Sequence, residues 1–136
     1  MPSRFATITL LLLLTGCSIS LISKYDEVID KGITDLQKKM DLHLIQKQRI
    51  PSSSFDTTFY DGVYVDLQLL KTRASSVPKN EQTSGLIDIL VKHVKNIEAT
   101  DKKGTSTANT YQILQESIDQ TCGNLLTLEL AKKEEK

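Results

Sequence analysis

Apolar residues recur at three- and four-residue steps in four stretches of the chain, separated by short segments rich in Pro, Gly, Ser and Asn. This spacing places the apolar side chains on one face of an amphipathic helix. It predicts helices over residues 24–48, 55–75, 81–100 and 107–132. In chain order, the predicted apolar faces are Ile22, Ile29, Ile33, Leu36, Met40 and Leu44; Phe59, Val63, Leu67, Leu70 and Ala74; Leu86, Ile87, Leu90, Val94 and Ile97; and Tyr111, Leu114, Ile118, Cys122, Leu125 and Leu126.

Serine hydroxyls precede three of these helices, where they accept hydrogen bonds from unpaired backbone N–H groups. Gly104 follows the third helix and is predicted to end it in the left-handed conformation. Residues 57–65 are rich in Thr, Phe, Tyr and Val and would also suit a strand, but the chain offers no partner strand. Tyr60 and Tyr64 are expected to flank the second apolar face. The predicted N-caps are Ser23, Ser53 or Ser54, and Ser106.

Four helices of similar length with short links predict an all-α protein, an up-down-up-down four-helix bundle over residues 23–132. The chain has 136 residues, of which 39% are hydrophobic and 25% charged, enough for one globular domain. Aromatic residues make up only 5%, so the expected core is aliphatic. The charge run that begins at Lys132 is expected to fray, with residues 133–136 as a charged tail.

The N-terminus carries a different pattern. Arg4 is followed by an almost wholly apolar run of ten residues, 5–14, whereas a helix that spans a bilayer needs about 20. Ten residues is the length of the apolar part of a secretory signal. Residues 1–16 are therefore predicted to be a signal peptide.

The run ends in Leu14-Thr15-Gly16-Cys17, which resembles the lipobox of bacterial lipoproteins. The resemblance implies cleavage between Gly16 and Cys17, diacylglycerol on the Cys17 thiol and an acyl chain on its new amino group. The thiol is the one good nucleophile in this segment. The alternatives are an ordinary secretory signal with an incidental cysteine and an uncleaved anchor.

Residues 17–22 then form a short tether to the bundle. In Gram-negative members of this class, Asp after the lipidated cysteine retains the protein in the inner membrane. Ser18 therefore implies an outer-membrane anchor with the body in the periplasm. A Gram-positive host would place it on the outer face of the plasma membrane.

The charge balance and the motifs of the chain argue against several classes of function. Loss of Arg4 with the signal leaves 16 of the 17 basic residues against 17 acidic ones, which argues against nucleic-acid binding. The chain has no phosphate-binding loop, hydrolase motif or zinc-ligand spacing. His43 and His93 fall at the edges of apolar faces, where a structural role is expected. We predict no enzymatic activity, no metal and no cofactor beyond the lipid on Cys17.

Cys122 is the only thiol left once Cys17 is acylated. Its place on an apolar face predicts a small buried side chain. The alternatives are a homodimer linked through Cys122 and a nucleophilic role.

Four aliphatic residues lie off the predicted apolar faces and form a candidate partner patch, because off-face apolar residues can mark a binding surface. The alternatives are a loop that covers them and an asymmetric bundle. These residues are Leu42, Ile45, Val65 and Leu69.

The segment Cys17-Ser18-Ile19-Ser20 with Tyr25-Asp26 resembles the start of small lipoproteins of unknown function in Gram-negative bacteria and their phages. Size, anchor and helices also resemble the helical pilotins, which usually carry a disulfide that this chain cannot form internally. We therefore expect a non-enzymatic accessory or protein-interaction lipoprotein with a protein partner. The alternative is a bundle that binds a small ligand or lipid.

Overall fold

A computed structural model of the protein describes residues 22–134. Within that range it is all-helical and has no strand. The predicted signal peptide, Cys17 and Ser18 lie outside the described residues. The helices are α1 (Glu27–Arg49), α2 (Thr57–Ser76), α3 (Glu81–Lys103) and α4 (Ala108–Glu134).

The four helices form a ring in which α1 and α3 each pack against α2 and α4. The start of α1, the end of α2, the start of α3 and the end of α4 meet at one end, which we call the proximal end. There Arg73 binds Asp26 and Thr83 binds Glu129. Successive helices therefore run antiparallel, as in an up-down-up-down bundle. The opposite end is the distal end.

The core follows the predicted apolar faces. Most of their residues are buried, and five are only half-buried: Ile22, Phe59, Leu86, Leu114 and Leu126. In α2 the structure corrects the sequence analysis. Phe59, predicted to lie on the apolar face, is half-buried, whereas Tyr60, predicted to flank that face, is 1% exposed. Tyr60 turns inward because its hydroxyl reaches a buried carboxylate on α3.

Each cap predicted from a serine is wrong by one to three residues. Asp26 caps α1 and accepts from the N–H groups of Val28 and Ile29. The Ser23 hydroxyl instead makes a tertiary hydrogen bond. A carboxylate near the free N–H groups is also favoured by the helix dipole. The caps of α2 and α4 are Asp56 and Thr107 rather than Ser53, Ser54 or Ser106.

The C-terminal signals were more accurate. Gly104 ends α3 with a φ of 65°, as its sequence position predicted. The segment 57–65 is helical, and its Tyr60 and Val63 side chains are buried in the bundle core. α4 continues to Glu134, so Lys132 belongs to the packed helix and not to a frayed tail.

Candidate functional site

A buried polar cluster closes the proximal end of the core. The Lys132 ammonium lies at its centre and donates to Glu129 Oε1 at 2.5 Å, Asn80 Oδ1 at 2.6 Å and Thr83 Oγ1 at 2.7 Å. Its charge is thus paired and its three protons are used. The proximal cluster consists of Ser23, Asp26, Asn80, Thr83, Glu129 and Lys132, all buried.

This cluster fixes the segment that leads into α1. The backbone N–H of Ser23 donates to the Lys79 carbonyl at 3.0 Å, and its hydroxyl donates to Asn80 Oδ1 at 2.8 Å. The backbone N–H of Asp26 donates to Glu129 at 3.3 Å. The chain is therefore held to the bundle four residues before its first helix begins.

The carboxylate of Asp26 is held from the other side. Arg73 Nε donates to its Oδ2 at 2.6 Å. Burial alone would raise the pKa of Asp26, but the guanidinium and the N–H groups at the start of α1 outweigh burial and lower it. Asp26 therefore stays ionised at neutral pH, both as a helix cap and as a link to α2.

Tyr25 lies at the same end, against the last turn of α4. Its hydroxyl donates to Asp30 Oδ2 at 2.7 Å, and the Lys133 ammonium lies 5.1 Å from its ring centroid. The hydrogen bond to Asp30, with a smaller contribution from burial, raises the pKa of Tyr25 to about 12.

A second buried polar cluster closes the distal end, around the carboxylate of Asp101. This carboxylate accepts from Lys47 Nζ at 2.5 Å and from the hydroxyls of Tyr60 at 3.1 Å and Tyr111 at 3.2 Å. Lys47 also donates to two carbonyls of the loop after α1. The distal cluster consists of His43, Lys47, Tyr60, Asp101 and Tyr111, so every helix contributes to it.

His43 lies at the edge of the distal cluster. Its Nε2 is 3.2 Å from the Tyr60 oxygen and 3.3 Å from Asp101 Oδ2. Because Tyr60 gives its own proton to Asp101, we assign the imidazole hydrogen to Nε2. Phe59 stacks on the ring with centroids 3.9 Å apart. Burial lowers the pKa of His43, although the negative charge of Asp101 opposes this shift.

The donors and acceptors of the distal cluster bind one another. Burial, and then the Asp101 charge, raises the pKa of Tyr60, so its hydroxyl keeps its proton and serves as a donor. The Phe55 ring stacks on Tyr60 with centroids 5.3 Å apart. The cluster joins all four helices through one carboxylate beneath aromatic rings.

The surface between α1 and α2 carries an opening with a mainly apolar lining, which we call the α1–α2 groove. Its volume is about 350 Å³. The two helices approach closely here, since a Cβ on Gly32 would lie only 2.7 Å from Leu70 Cδ2. The apolar lining is Val28, Gly32, Leu36, Leu69 and Leu70.

The rim of the groove is charged and largely paired within the chain. Lys39 on α1 forms an ion pair with Asp66 on α2, and Arg73 is held by Asp26. Asp35 also lines the rim. An occupant of the groove therefore meets an apolar floor between charges that are mostly neutralised.

The structure places the four residues of the candidate partner patch on the surface, with Leu42 63%, Ile45 37%, Val65 59% and Leu69 64% exposed. Leu69 lines the α1–α2 groove, whereas Leu42 lines a second groove beside His43, of about 440 Å³. The register set by the Lys39–Asp66 pair places Leu42 about 10 Å beyond Leu69 toward the distal end.

Ile45 lies where α1 packs against α4. Asp41 and Gln48, on the same side of α1, both bind Gln115 of α4. Ile45 lies between them at helical spacing and therefore borders α4. Val65 lies on the outer face of α2 and lines neither of the two grooves among residues 22–134. Leu42 and Leu69 thus line separate grooves, Ile45 borders α4 and Val65 lies apart from all three, and their binding of a partner stays a prediction.

Cys122 is 0% exposed, in agreement with the small buried side chain predicted for it. Burial raises the pKa of its thiol to about 12, which keeps the reactive thiolate rare at neutral pH. A disulfide between two copies through Cys122 would require the bundle to open. His93 is half-buried on α3.

The sequence analysis missed the charged residues of both clusters, although a signal was present. The three- and four-residue steps continue from Leu44 to Lys47 and from Ile97 to Asp101. They also continue from Leu125 to Glu129 and on to Lys132. The sequence signal for both buried clusters is therefore a charged residue that continues the spacing of the apolar core positions.

Within residues 22–134, no helix is both long enough and apolar enough to cross a membrane. The same part of the chain contains no group of three or more His, Cys, Asp or Glu side chains placed to hold a metal ion. Comparison with protein-family models, curated proteins and solved structures gave no match to this chain.

Proposed function

We propose that this protein is a bacterial lipoprotein whose helical body is held at the membrane surface by the lipid on Cys17 and acts by binding another protein. The observation that carries the proposal is the lipobox Leu14-Thr15-Gly16-Cys17 directly after a ten-residue apolar run. With Ser18 next to the lipid, the proposed address is the outer membrane of a Gram-negative host, facing the periplasm.

The proximal end of the bundle supports this proposal. Ser23 is bonded to Asn80, just before α3, and Asp26 is bonded to Glu129 of α4, so the chain is fixed to the bundle six positions after Cys17. Five residues, 18–22, extend at most about 17 Å. A lipid on Cys17 would hold the proximal end against the membrane and direct the distal end away from it.

The protein-binding role is supported by the surface grooves. Val28 and Leu69 are exposed beside the α1–α2 groove, and Leu42 is exposed beside the second groove. The alternative, a ligand inside the bundle, has less support because the central positions are filled by packed side chains that are 0–1% exposed. The proposed role is therefore accessory or assembly work in the cell envelope, without catalysis.

The anchor is tested by growing cells with labelled palmitate and comparing Cys17→Ser with Cys122→Ala. Both variants remove one thiol, but only the first removes the lipid acceptor. We expect Cys17→Ser to leave an unlabelled precursor that keeps residues 1–16, and Cys122→Ala to be labelled and processed normally. Label on the Cys17→Ser protein would exclude the lipobox interpretation.

The address is tested with Ser18→Asp in a Gram-negative host. We expect the variant to move from the outer-membrane fraction to the inner-membrane fraction, with its lipid unchanged. A protein that stays in the outer membrane would contradict the role given to Ser18.

The protein-binding role is tested by affinity capture of the lipidated protein from its membrane, followed by mass spectrometry. Leu42→Lys and Leu69→Lys each add a charge at an exposed position, so the fold should be unaffected. Ile89→Lys, on the exposed face of α3, is the matched control. Loss of a captured protein in one groove variant, but not in the control, would assign the binding groove.

A further inference from the structure

The loop after α1 is fastened to the distal end by one ammonium group and one aromatic ring. Lys47 Nζ donates to the carbonyls of Ser53 at 2.8 Å and Ser54 at 3.1 Å. The Phe55 ring stacks on Tyr60 with centroids 5.3 Å apart. An opening of the loop must break both contacts, but it also brings water to the Ser53 hydroxyl, which is buried without a protein partner.

Both contacts end on groups that lie against His43. The Tyr60 oxygen is 3.2 Å from His43 Nε2. Lys47 is held by the Asp101 carboxylate, whose Oδ2 is 3.3 Å from the same nitrogen. The fastening of the loop and the surroundings of His43 are therefore coupled through the distal cluster.

The imidazole is also covered by the first turn of α2. Phe59 stacks on the ring, and the backbone N–H of Phe59 donates to the Asp56 cap at 3.1 Å. The loop and this turn are continuous in the chain, and we call residues 50–59 the distal segment. With the segment in place the side chain of His43 is only 9% exposed. Because the segment supplies much of this cover, its opening would expose the imidazole to water.

The nitrogen of His43 that can take a second proton is Nδ1, because Nε2 already carries the hydrogen. Nδ1 has no hydrogen-bond partner within residues 22–134. In that part of the chain the one fully buried side-chain nitrogen or oxygen without a partner is Ser53 Oγ, so Nδ1 keeps contact with solvent. His43 lines the second groove, and a proton can reach Nδ1 from there without movement of the ring.

A proton on His43 would add a second cation to a cluster that holds one carboxylate. With neutral His43, the charges of Lys47 and Asp101 balance at a distance of 2.5 Å. Tyr60 on α2 and Tyr111 on α4 donate to the carboxylate and bring no negative charge. Protonated His43 therefore leaves the buried cluster with an excess positive charge, which burial disfavours.

Charges outside the cluster do not balance this excess. Asp56, at the start of α2, attracts a charged imidazole, but it is exposed and already serves as a helix cap. Burial lowers the pKa of His43 and outweighs the opposing charges of Asp101 and Asp56. The other charged residues that line the second groove are Asp35, Lys38 and Lys39.

We propose that the distal segment is a pH-dependent switch: when His43 takes a proton at Nδ1, the segment separates from the distal cluster while the four helices and the proximal end stay packed. The segment carries Phe55 and Phe59, which are half-buried in the closed form. The open form therefore presents two aromatic rings that the closed form covers. The switch does not depend on the lipid on Cys17.

The size of the effect follows from the difference between the two forms. In the open form His43 has its ordinary pKa of about 6.5, whereas the pKa of the closed form is lower. Between these two values, each unit of decreasing pH raises the ratio of open to closed protein by up to about tenfold. The segment should be closed above this range, and no further opening is expected below it.

The test is amide hydrogen exchange, followed by NMR at pH 7.5 and 5.5, on the full-length chain in detergent. The Ser53 N–H donates to the Ile50 carbonyl at 3.0 Å and reports on the distal segment. The Ser23 N–H donates to the Lys79 carbonyl at the same distance and is the control at the proximal end. Relative to an unfolded peptide at the same pH, the protection of Ser53 should fall several-fold, by up to about tenfold, and that of Ser23 should stay constant.

Two variants show whether His43 is the group that titrates. His43→Gln and His93→Gln each remove one histidine, but only the first removes the proposed proton acceptor. We expect His43→Gln to abolish the fall in Ser53 protection and His93→Gln to preserve it. In the wild type, the ¹⁵N chemical shifts of the His43 ring should titrate over the same pH range as Ser53 protection, which keeps the test valid if His43→Gln does not fold.

Three results would each overturn the switch. The first is equal protection of Ser53 at both pH values in the wild type. The second is a fall in protection that persists in a folded His43→Gln protein, or that does not follow the ring titration of His43. The third is an equal loss at Ser23, which would mean that acid unfolds the whole bundle and does not open one segment.

Discussion

The two ends of the core are closed by charged clusters that differ in where their charges come from. At the proximal end, Lys132 and Glu129 lie one turn apart on α4, and Lys132 also binds the neutral side chains of Asn80 and Thr83. At the distal end, Asp101 on α3 takes its cation, Lys47, from α1. The proximal ion pair forms within one helix, whereas the distal pair exists only once two helices have packed.

The difference extends to what each cluster holds. The proximal cluster binds Ser23 and Asp26 and so fixes the chain where it enters the bundle. The distal cluster holds the loop after α1 through Lys47 and includes a histidine, His43, whose pKa is lowered by burial. We infer that the proximal end serves as a fixed attachment point, while the distal end is sensitive to acid.

The largest expected loss of stability comes from a substitution that disrupts the distal cluster. Asp101→Asn keeps the shape of the side chain but leaves the Lys47 ammonium buried without an opposite charge. Loss of one partner of a buried pair costs about 3–5 kcal/mol. Urea unfolding should show this loss, while Asp88→Asn, which breaks the half-exposed pair with Lys71, should cost under about 1 kcal/mol. Equal costs would mean that Asp101 does not organise this end.

The next largest loss is expected from a substitution that disrupts the proximal cluster. Lys132→Met leaves the Glu129 carboxylate with the Thr83 hydroxyl and the Asp26 N–H as donors. We expect the free energy of unfolding to fall by about 3 kcal/mol, the lower end of the range for a broken buried pair, because these donors remain. Lys133→Met is the matched control one residue further on. It removes only a surface cation–π contact, worth about 0.5–1 kcal/mol.

A pH titration should separate the two ends. Burial lowers the pKa of His43, so below about pH 6.5 the unfolded chain binds a proton that the folded chain does not. Stability is therefore full above this pH and falls as the pH decreases toward the folded pKa. The slope for one proton is at most about 1.4 kcal/mol per pH unit.

The measurement is the melting temperature from pH 7.5 to 5, in the wild type and in His43→Gln. The variant should lose the decline in this window. The lowered pKa of Asp26 affects stability in a more acidic range, since its contribution to the free energy of unfolding is lost only as the pH falls below the ordinary pKa of 3.8. An unchanged decline in His43→Gln would show that the acid sensitivity does not arise at the distal end.

The smallest effect concerns the attachment of the chain. Ser23→Ala removes one hydrogen bond to Asn80 Oδ1, which Lys132 still satisfies, so the cost should be about 1 kcal/mol. Hydrogen exchange at the Ser23 amide should become faster than in the wild type. Ser52→Ala, in the exposed loop after α1, should change neither quantity. Unchanged exchange in Ser23→Ala would show that the backbone contact to Lys79 protects this amide without the hydroxyl.

The sequence by itself determined the helices and the apolar faces. The three- and four-residue steps located all four helices, because a helix needs only local spacing to bring apolar side chains to one face. Gly104 was identifiable from its position, because few residues other than glycine adopt a left-handed cap at low cost. The lipobox is likewise a local signal, and the attachment that it predicts needs no folded partner.

Only the tertiary structure decided which charged residues belong to the core. Lys47 and Asp101 lie 54 positions apart, and although each is in phase with an apolar face, nothing in the local sequence shows that the other is its partner. A buried charge is tolerated only when an opposite charge and further hydrogen bonds reach it. Those partners come from other helices, so their presence depends on the packing of the whole bundle.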